Sequence, residues 1–125
     1  MKRAFLPILS LLFLPACGAD PAADAGDLAI EAQIEPDPPR VGDNLLVLVV
    51  RDADGAPVEG ASIAVEPFMP AHGHGSTAEP VVTDVGGGTY RAAPVRITMP
   101  GEWTITVHAQ AGDRHGERVL VRDVE

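Results

Sequence analysis

The chain is poor in several residue types, and each shortage excludes something. It has one cysteine, so no disulfide can form within a single copy and the fold must be stabilised by burial. Aromatic residues make up 4% of the sequence, and basic residues number nine against eighteen acidic ones. An acidic chain repels phosphate backbones, and no basic stripe interrupts this one, so nucleic acid is excluded as a partner.

The only long apolar run lies at the N-terminus, over residues 4–14, after Lys2 and Arg3. It is too short to cross a bilayer as a helix, and a basic start followed by such a run is typical of an export signal. Residues 1–16 hold two of the basic residues and no acidic ones. The exported chain therefore keeps seven basic and eighteen acidic residues, a net charge of −11.

The signal ends in Leu14-Pro15-Ala16-Cys17-Gly18, which resembles the lipobox of bacterial lipoproteins. In that motif the cysteine is lipidated and becomes the mature N-terminus. The resemblance implies a membrane anchor at Cys17 in the periplasm or at the cell surface. Gly18 favours the outer membrane in a cell with two membranes. An ordinary secretory signal that happens to contain a cysteine is the alternative.

Residues 17–27 are small residues, Pro and Asp, which cannot bury apolar area, so they are predicted to form a flexible tether. The remaining residues, 28–125, suit a single domain.

Hydrophobic residues in this domain recur with a period of two, and no helical period of useful length is present. Turn residues separate the alternating segments, which predicts an all-β, immunoglobulin-like antiparallel β-sandwich of about seven strands. Trp103, Val119 and Val121 are expected to face the core, and His108 and His115 to be exposed. The predicted strands are residues 28–35, 45–50, 61–66, 81–83, 89–98 as one strand or a bulged pair interrupted by Pro94, 103–110 and 118–124.

The most distinctive chemistry lies in one loop, where Met69, His72 and His74 fall within six residues. Thioether and imidazole are neutral ligands that copper accepts, Cu(I) above all. Met99 stands in a second Met-Pro turn, and it completes a four-ligand set if both turns lie at one end of the sandwich. Zinc fits less well, because it prefers thiolate, imidazole or carboxylate. The alternatives are core packing for both methionines and a solvated loop for both histidines.

A set of motifs across the domain resembles the YtkA-like domain. This resemblance implies an exported immunoglobulin-like sandwich associated with copper handling or cytochrome oxidase assembly, and it places Met69, His72, His74 and Met99 at Met and His positions of the family. The motifs are Gly42-x-Asn44, Asp54-Gly55-x-Pro57-Val58-x-Gly60-Ala61, Met69-Pro70-x-His72-x-His74-Gly75, Gly88-x-Tyr90 and Met99-Pro100-Gly101-x-Trp103.

Catalytic motifs are missing: the sequence has no nucleophile elbow, no phosphate loop and no free cysteine, so no catalytic residue is predicted and the protein is not expected to be an enzyme. Two functions remain. The first is a lipid-anchored extracytoplasmic protein that buffers or delivers copper, with an envelope copper-handling or oxidase-assembly protein as its partner. The alternative is a metal-free interaction module that binds a membrane or envelope partner.

Overall fold

The computed structural model describes residues 25–125, and these residues form strands and turns only. The predicted signal and the predicted lipidation site at Cys17 lie outside the described residues. Two residues of the predicted tether, Ala25 and Gly26, form the first strand. The strands are β1 (Ala25–Gly26), β2 (Ala29–Glu35), β3 (Gly42–Arg51), β4 (Ser62–Met69), β5 (His74–Gly75), β6 (Val81–Gly86), β7 (Thr89–Ile97), β8 (Gly101–Ala111) and β9 (Arg114–Val124).

Two antiparallel sheets form the layers of the domain. One has the strand order β1-β9-β8-β4-β5 and the other the order β2-β3-β7-β6. The predicted all-β sandwich is confirmed. Seven of the nine described strands have six residues or more, which agrees with the predicted number, and β1 and β5 are two-residue additions at opposite edges of one sheet. Within residues 25–125, no helix is long and apolar enough to cross a membrane.

The main core lies between the sheets and consists of the inward-facing residues of the alternating strands. Leu46, Leu48 and Val50 of β3 face Ile105 and Val107 of β8, and all five are fully buried. Burial of each such side chain contributes about 1.5–3 kcal/mol. This aliphatic core (the main cluster) therefore accounts for most of the stabilisation, as expected where no disulfide can form.

A second, smaller cluster lies at one end of the sandwich. It contains Met69, Ile97, Trp103 and Val124, with Met99 half-buried against it. Trp103 is 0% exposed, so the prediction that it faces inward is confirmed. This cluster brings the end of β4, the end of β7 and the start of β8 together, and it is called the metal-end cluster below because three of the predicted metal ligands lie in it or beside it.

Two motif residues stabilise connections rather than contribute chemistry. The side chain of buried Asn44 accepts a hydrogen bond from the Arg40 N–H at 3.0 Å and donates to the Arg40 and Val95 carbonyl oxygens. The Tyr90 hydroxyl donates to the Val58 carbonyl at 2.7 Å. Both satisfy backbone groups of irregular segments, which would be costly to bury without partners.

The prediction that Val119 and Val121 of β9 face the core was wrong. Leu120 and Val124 face the core, while Val121 is 51% exposed. The β8–β9 hairpin pairs Ala111 with Arg114 across a two-residue turn, and this register places Leu120 opposite Ile105. Directly opposed residues share a face of the sheet. Val119, Leu120 and Val121 are all apolar, so either face of this strand would present apolar residues to the core. The sequence pattern alone therefore could not select the register.

At Pro94 the sequence predicted either one strand or a bulged pair interrupted by the proline, and β7 continues through it as one strand that contains a bulge. Asn44 pairs with Val95 and Leu46 with Ala92, so Ala93 and Pro94 together oppose the single residue Leu45. This is a β-bulge, and a bulge accommodates a proline because it leaves one position of the ladder unpaired.

Candidate metal centre

A tight hairpin positions Met69 and His74. Met69 ends β4, His74 begins β5, and the two are direct cross-strand partners. The Gly73 N–H donates to the Met69 carbonyl at 3.0 Å, and Gly73 has φ +65°, a conformation that glycine adopts without strain. The sequence predicted an irregular loop here. The structure has an ordered turn over residues 70–73, which fixes Met69 beside His74.

Met69 is 3% exposed and belongs to the metal-end cluster. Its terminal methyl lies over Gly101, where an added Cβ would collide with it. Gly101 has φ +131°, so a side chain would be strained there in any case. Met69 therefore packs in the core, as the alternative predicted, and it shares a face of the sheet with its cross-strand partner His74.

The two histidine rings lie close together above this cluster. The ring centres of His72 and His74 are 5.9 Å apart, with an angle of 38° between the planes. An imidazole nitrogen binds a metal at about 2 Å, so two rings that share one ion have centres at most roughly 6 Å apart. The pair is at the upper limit of that distance. His72 is exposed and His74 half-buried, so solvent reaches the site from the side of His72.

The backbone orients the ring of His74. Its Nδ1 lies 3.2 Å from the carbonyl oxygen of Gly75. A carbonyl oxygen can only accept, so Nδ1 carries the proton in this hydrogen bond and Nε2 keeps its lone pair. Histidines that bind metals are usually held by a hydrogen bond of this kind from the other nitrogen. The arrangement leaves Nε2 of His74 available as a ligand atom.

Trp103 connects the two turns of the site. Its ring lies 5.9 Å from the His74 ring in an edge-on arrangement, with an interplanar angle of 67°. Its Nε1–H donates to the Met99 carbonyl oxygen at 3.0 Å. Hydrophobic periodicity predicted Trp103 only as a core residue, although the spacing Met99-Pro100-Gly101-x-Trp103 is the signal that could have placed it at the candidate site.

The structure therefore brings all four predicted ligand residues to one end of the sandwich. Met69 and His74 are cross-strand partners, His72 lies beside His74, and Met99 packs against the cluster that contains Met69. Among residues 25–125, no group of three or more His, Cys, Asp or Glu side chains is placed to hold a metal ion.

The other two histidines lie away from this site and are exposed, as predicted. His108 lies on the outer face of β8, where its Nδ1 is 3.3 Å from a Glu117 carboxylate oxygen and its Nε2 is 3.8 Å from one of Glu66. His115 is the second residue of β9, opposite Gln110 in the β8–β9 hairpin. His108 is thus a suitable control for substitutions at His72 and His74.

The comparisons with known proteins agree with the motifs. The family model described as YtkA-like matches residues 22–108, a range that contains the hairpin, Met99 and Trp103. Neither the curated proteins nor the solved structures gave a significant match. Because the family model covers more than half of the sequence, the chain belongs to the YtkA-like family.

Proposed function

We propose that this protein is a lipid-anchored, extracytoplasmic copper-binding protein that buffers or delivers copper through Met69, His72, His74 and Met99. The observation that carries the proposal is the pair of imidazole rings 5.9 Å apart, one of which belongs to the cross-strand partner of the buried Met69. Two rings at that distance can share one ion, and Met69 is the cross-strand partner of one of them.

The type of ligand favours Cu(I). Thioether sulfur is a soft donor that binds Cu(I) well and hard cations poorly, and imidazole is compatible with both. The side chain of Met69 is buried, while that of His72 is exposed to solvent. A monovalent ion held between neutral ligands also adds less charge to a half-buried position than a divalent ion does, which lowers the cost of desolvation.

The surroundings of His74 support the same site. Its Nδ1–H is engaged by the Gly75 carbonyl, so Nε2 is free to bind, and the ring of Trp103 limits how far His74 can swing. A ligand held in one orientation before the metal arrives loses less conformational freedom on binding.

A competition titration against a chromophoric Cu(I) chelator tests the metal site. The chain from residue 18 onward should take up about one Cu(I), the stoichiometry of one small cluster of soft ligands. His72→Ala and Met69→Leu should each weaken binding, and His108→Ala should not. Equal and poor competition by wild type and by the Met69→Leu/His72→Ala double variant would show that the site does not exist.

The anchor has its own test. The lipobox at Cys17 motivates it, and Cys17→Ser should move the protein from the membrane to the soluble extracytoplasmic fraction or leave the signal uncleaved. Membrane fractionation with normal processing in the variant would contradict lipidation and leave the copper site untouched.

A second candidate function, binding of a protein partner without metal, is favoured by an apolar row on the outer sheet face. Phe68, Thr104 and Val121 are neighbours across β4, β8 and β9, and Phe68 and Val121 are 41% and 51% exposed. The exposed carboxylates of Glu66 and Asp123 lie beside this row, so it fits a partner with an apolar centre and a basic rim.

Site-specific photo-crosslinking in intact cells tests this candidate. A photoreactive residue at position 68 should give one discrete adduct, and Glu66→Lys combined with Asp123→Lys should abolish it. The same residue at Val85, exposed on the other sheet, is the control. An adduct that survives the charge reversal, or that also forms from position 85, would contradict a specific docking row.

A further inference from the structure

The candidate metal centre and the point where the chain joins the domain lie at opposite ends of the sandwich. β8 starts at the metal end, where Gly101 pairs with Val124, and finishes at the other end, where Gln110 pairs with His115. Gly26 pairs with Gly116, at that second end. The N-terminal segment therefore attaches to the domain far from Met69 and the histidine pair.

Close backbone contacts fix this attachment. The Leu28 N–H donates to the His115 carbonyl at 3.0 Å. A Cβ added to Gly26 would collide with the His115 carbonyl oxygen, and one added to Gly116 would collide with the Leu28 carbonyl oxygen. Two glycines therefore let β1 and the start of β2 lie against β9, so the chain leaves the domain at a defined place.

The distance between the two ends can be estimated from β9. The eight steps from Gly116 to Val124 span about 27 Å in an antiparallel strand. Only seven residues, 18–24, separate Cys17 from β1. The eight steps from Cys17 to Ala25 cover at most about 29 Å when fully extended. A flexible chain of that length has a root-mean-square span of about 15 Å. The mean span of the connection is thus shorter than the distance from its attachment point to the metal end, and only its full extension matches that distance.

The negative net charge of the exported chain also opposes contact between the metal end and the membrane. The exported chain has a net charge of −11. Anionic lipids give a membrane surface a negative potential that repels such a domain over roughly a Debye length. Repulsion disfavours a domain lying flat on the membrane, which is the orientation that would bring both ends close to the lipid.

We propose that the lipid anchor holds the domain with its Met/His end facing away from the membrane, so that copper is exchanged with a partner that approaches from the aqueous phase. Such a partner is a soluble Cu(I) carrier or a domain that projects into the same compartment, and a metal site within the anchoring bilayer is out of reach. The inference rests on the proposed function, because it needs both the anchor at Cys17 and the site at Met69, His72, His74 and Met99.

Energy transfer to a labelled membrane tests this orientation in the intact lipidated chain. Lipidation consumes the sulfur of Cys17, the only native cysteine, so an introduced cysteine is the only reactive thiol. Glu102→Cys places a donor dye at the metal end, and Asp113→Cys places it in the β8–β9 turn, near the attachment point. Both native residues are exposed and acidic, so the two variants are matched.

Each labelled protein is reconstituted in vesicles of phosphatidylethanolamine and phosphatidylglycerol that carry an acceptor dye on the headgroups. Transfer from position 102 should be several-fold weaker than transfer from position 113. Equal transfer, or stronger transfer from position 102, overturns the orientation while leaving the anchor and the metal site standing. Failure of both proteins to float with the vesicles overturns the anchor and this inference together, and a Cu(I) titration of the same preparations then shows separately whether the metal site survives.

Discussion

The two buried clusters of this domain differ in composition. The main cluster is almost wholly aliphatic, comes from strands of regular alternation and is fully enclosed between the sheets. The metal-end cluster places a thioether and an indole under two imidazoles, with Met99 only half-buried beside them. Residues of the main cluster serve stability alone. At the metal end, the same side chains that fill space also carry atoms able to bind an ion, so stability and binding should respond to different substitutions there.

The largest expected effect is the loss of the indole that the two roles share. Trp103→Ala should lower the free energy of unfolding by about 3–5 kcal/mol, the range for deleting a buried aromatic side chain. It also removes the hydrogen bond to the Met99 carbonyl. Chemical denaturation measures the loss. A cost below about 1 kcal/mol would mean that the metal-end cluster does not stabilise the fold.

The sharpest division between the clusters comes from a pair of substitutions. Leu48→Ala in the main cluster should cost about 2–5 kcal/mol of stability and leave Cu(I) affinity unchanged. Met69→Leu nearly conserves volume and should cost less than about 1.5 kcal/mol, yet it should weaken Cu(I) binding because it removes the sulfur. Urea denaturation and chelator competition on both variants provide the check. Parallel losses in both measurements would contradict the division.

A smaller effect is expected at Gly101, which supports Met69. Gly101→Ala should cost about 1–3 kcal/mol, because the residue has φ +131° and the new methyl collides with Met69. Gly112→Ala is the control, since its φ is +63° and no atom lies within 4 Å of an added Cβ. Both variants carry backbone strain, but only Gly101→Ala should also reduce Cu(I) affinity. Unchanged copper binding in Gly101→Ala would contradict the assignment of Met69 as a copper ligand.

The smallest expected effect concerns a pair of exposed charges near the metal end. A hydrogen bond from Arg96 at 2.7 Å holds the pKa of the Asp43 carboxyl below its usual value. A lowered pKa stabilises the fold above the pKa of the unfolded chain, and this contribution is lost as the pH falls through the lowered value. Asp43→Asn should therefore shift the urea midpoint slightly at neutral pH and not in strong acid. A shift that persists in strong acid would assign the effect to something other than the charge.

Sequence periodicity predicted the fold because, in most strands, the apolar residues occupy alternate positions and so lie together on the face of the sheet that is buried. Ile105 and Trp103 show this clearly, since polar residues alternate with them along β8. The prediction failed at Val119-Leu120-Val121, where both parities are apolar and the hairpin turn decides the register. At Pro94 the sequence left a strand or a bulged pair open, because a bulge that depends on pairing with β3 cannot be placed from β7 alone.

The residues of the candidate site could be named from the sequence, but their arrangement could not. Met, His, His and Met were identified from ligand chemistry and from the family motifs. The pairing of Met69 with His74 depends on the turn over residues 70–73, which the sequence suggested was irregular. The hydrogen bond from Nδ1 of His74 to the Gly75 carbonyl and the edge-on contact with Trp103 are tertiary details that no local pattern encodes.

X-ray absorption at the copper edge of the Cu(I)-loaded protein tests the central claim most directly, because it identifies the ligand atoms themselves. The copper ion is expected to have both nitrogen and sulfur ligands, with imidazole nitrogen at about 2 Å and sulfur at about 2.3 Å, lengths typical of metal bonds to these atoms. Met69→Leu should reduce the sulfur component, and His108→Ala should leave the spectrum unchanged. A wild-type spectrum without sulfur, or one that Met69→Leu and His72→Ala both leave unaltered, would contradict a Met/His copper centre at this end of the sandwich.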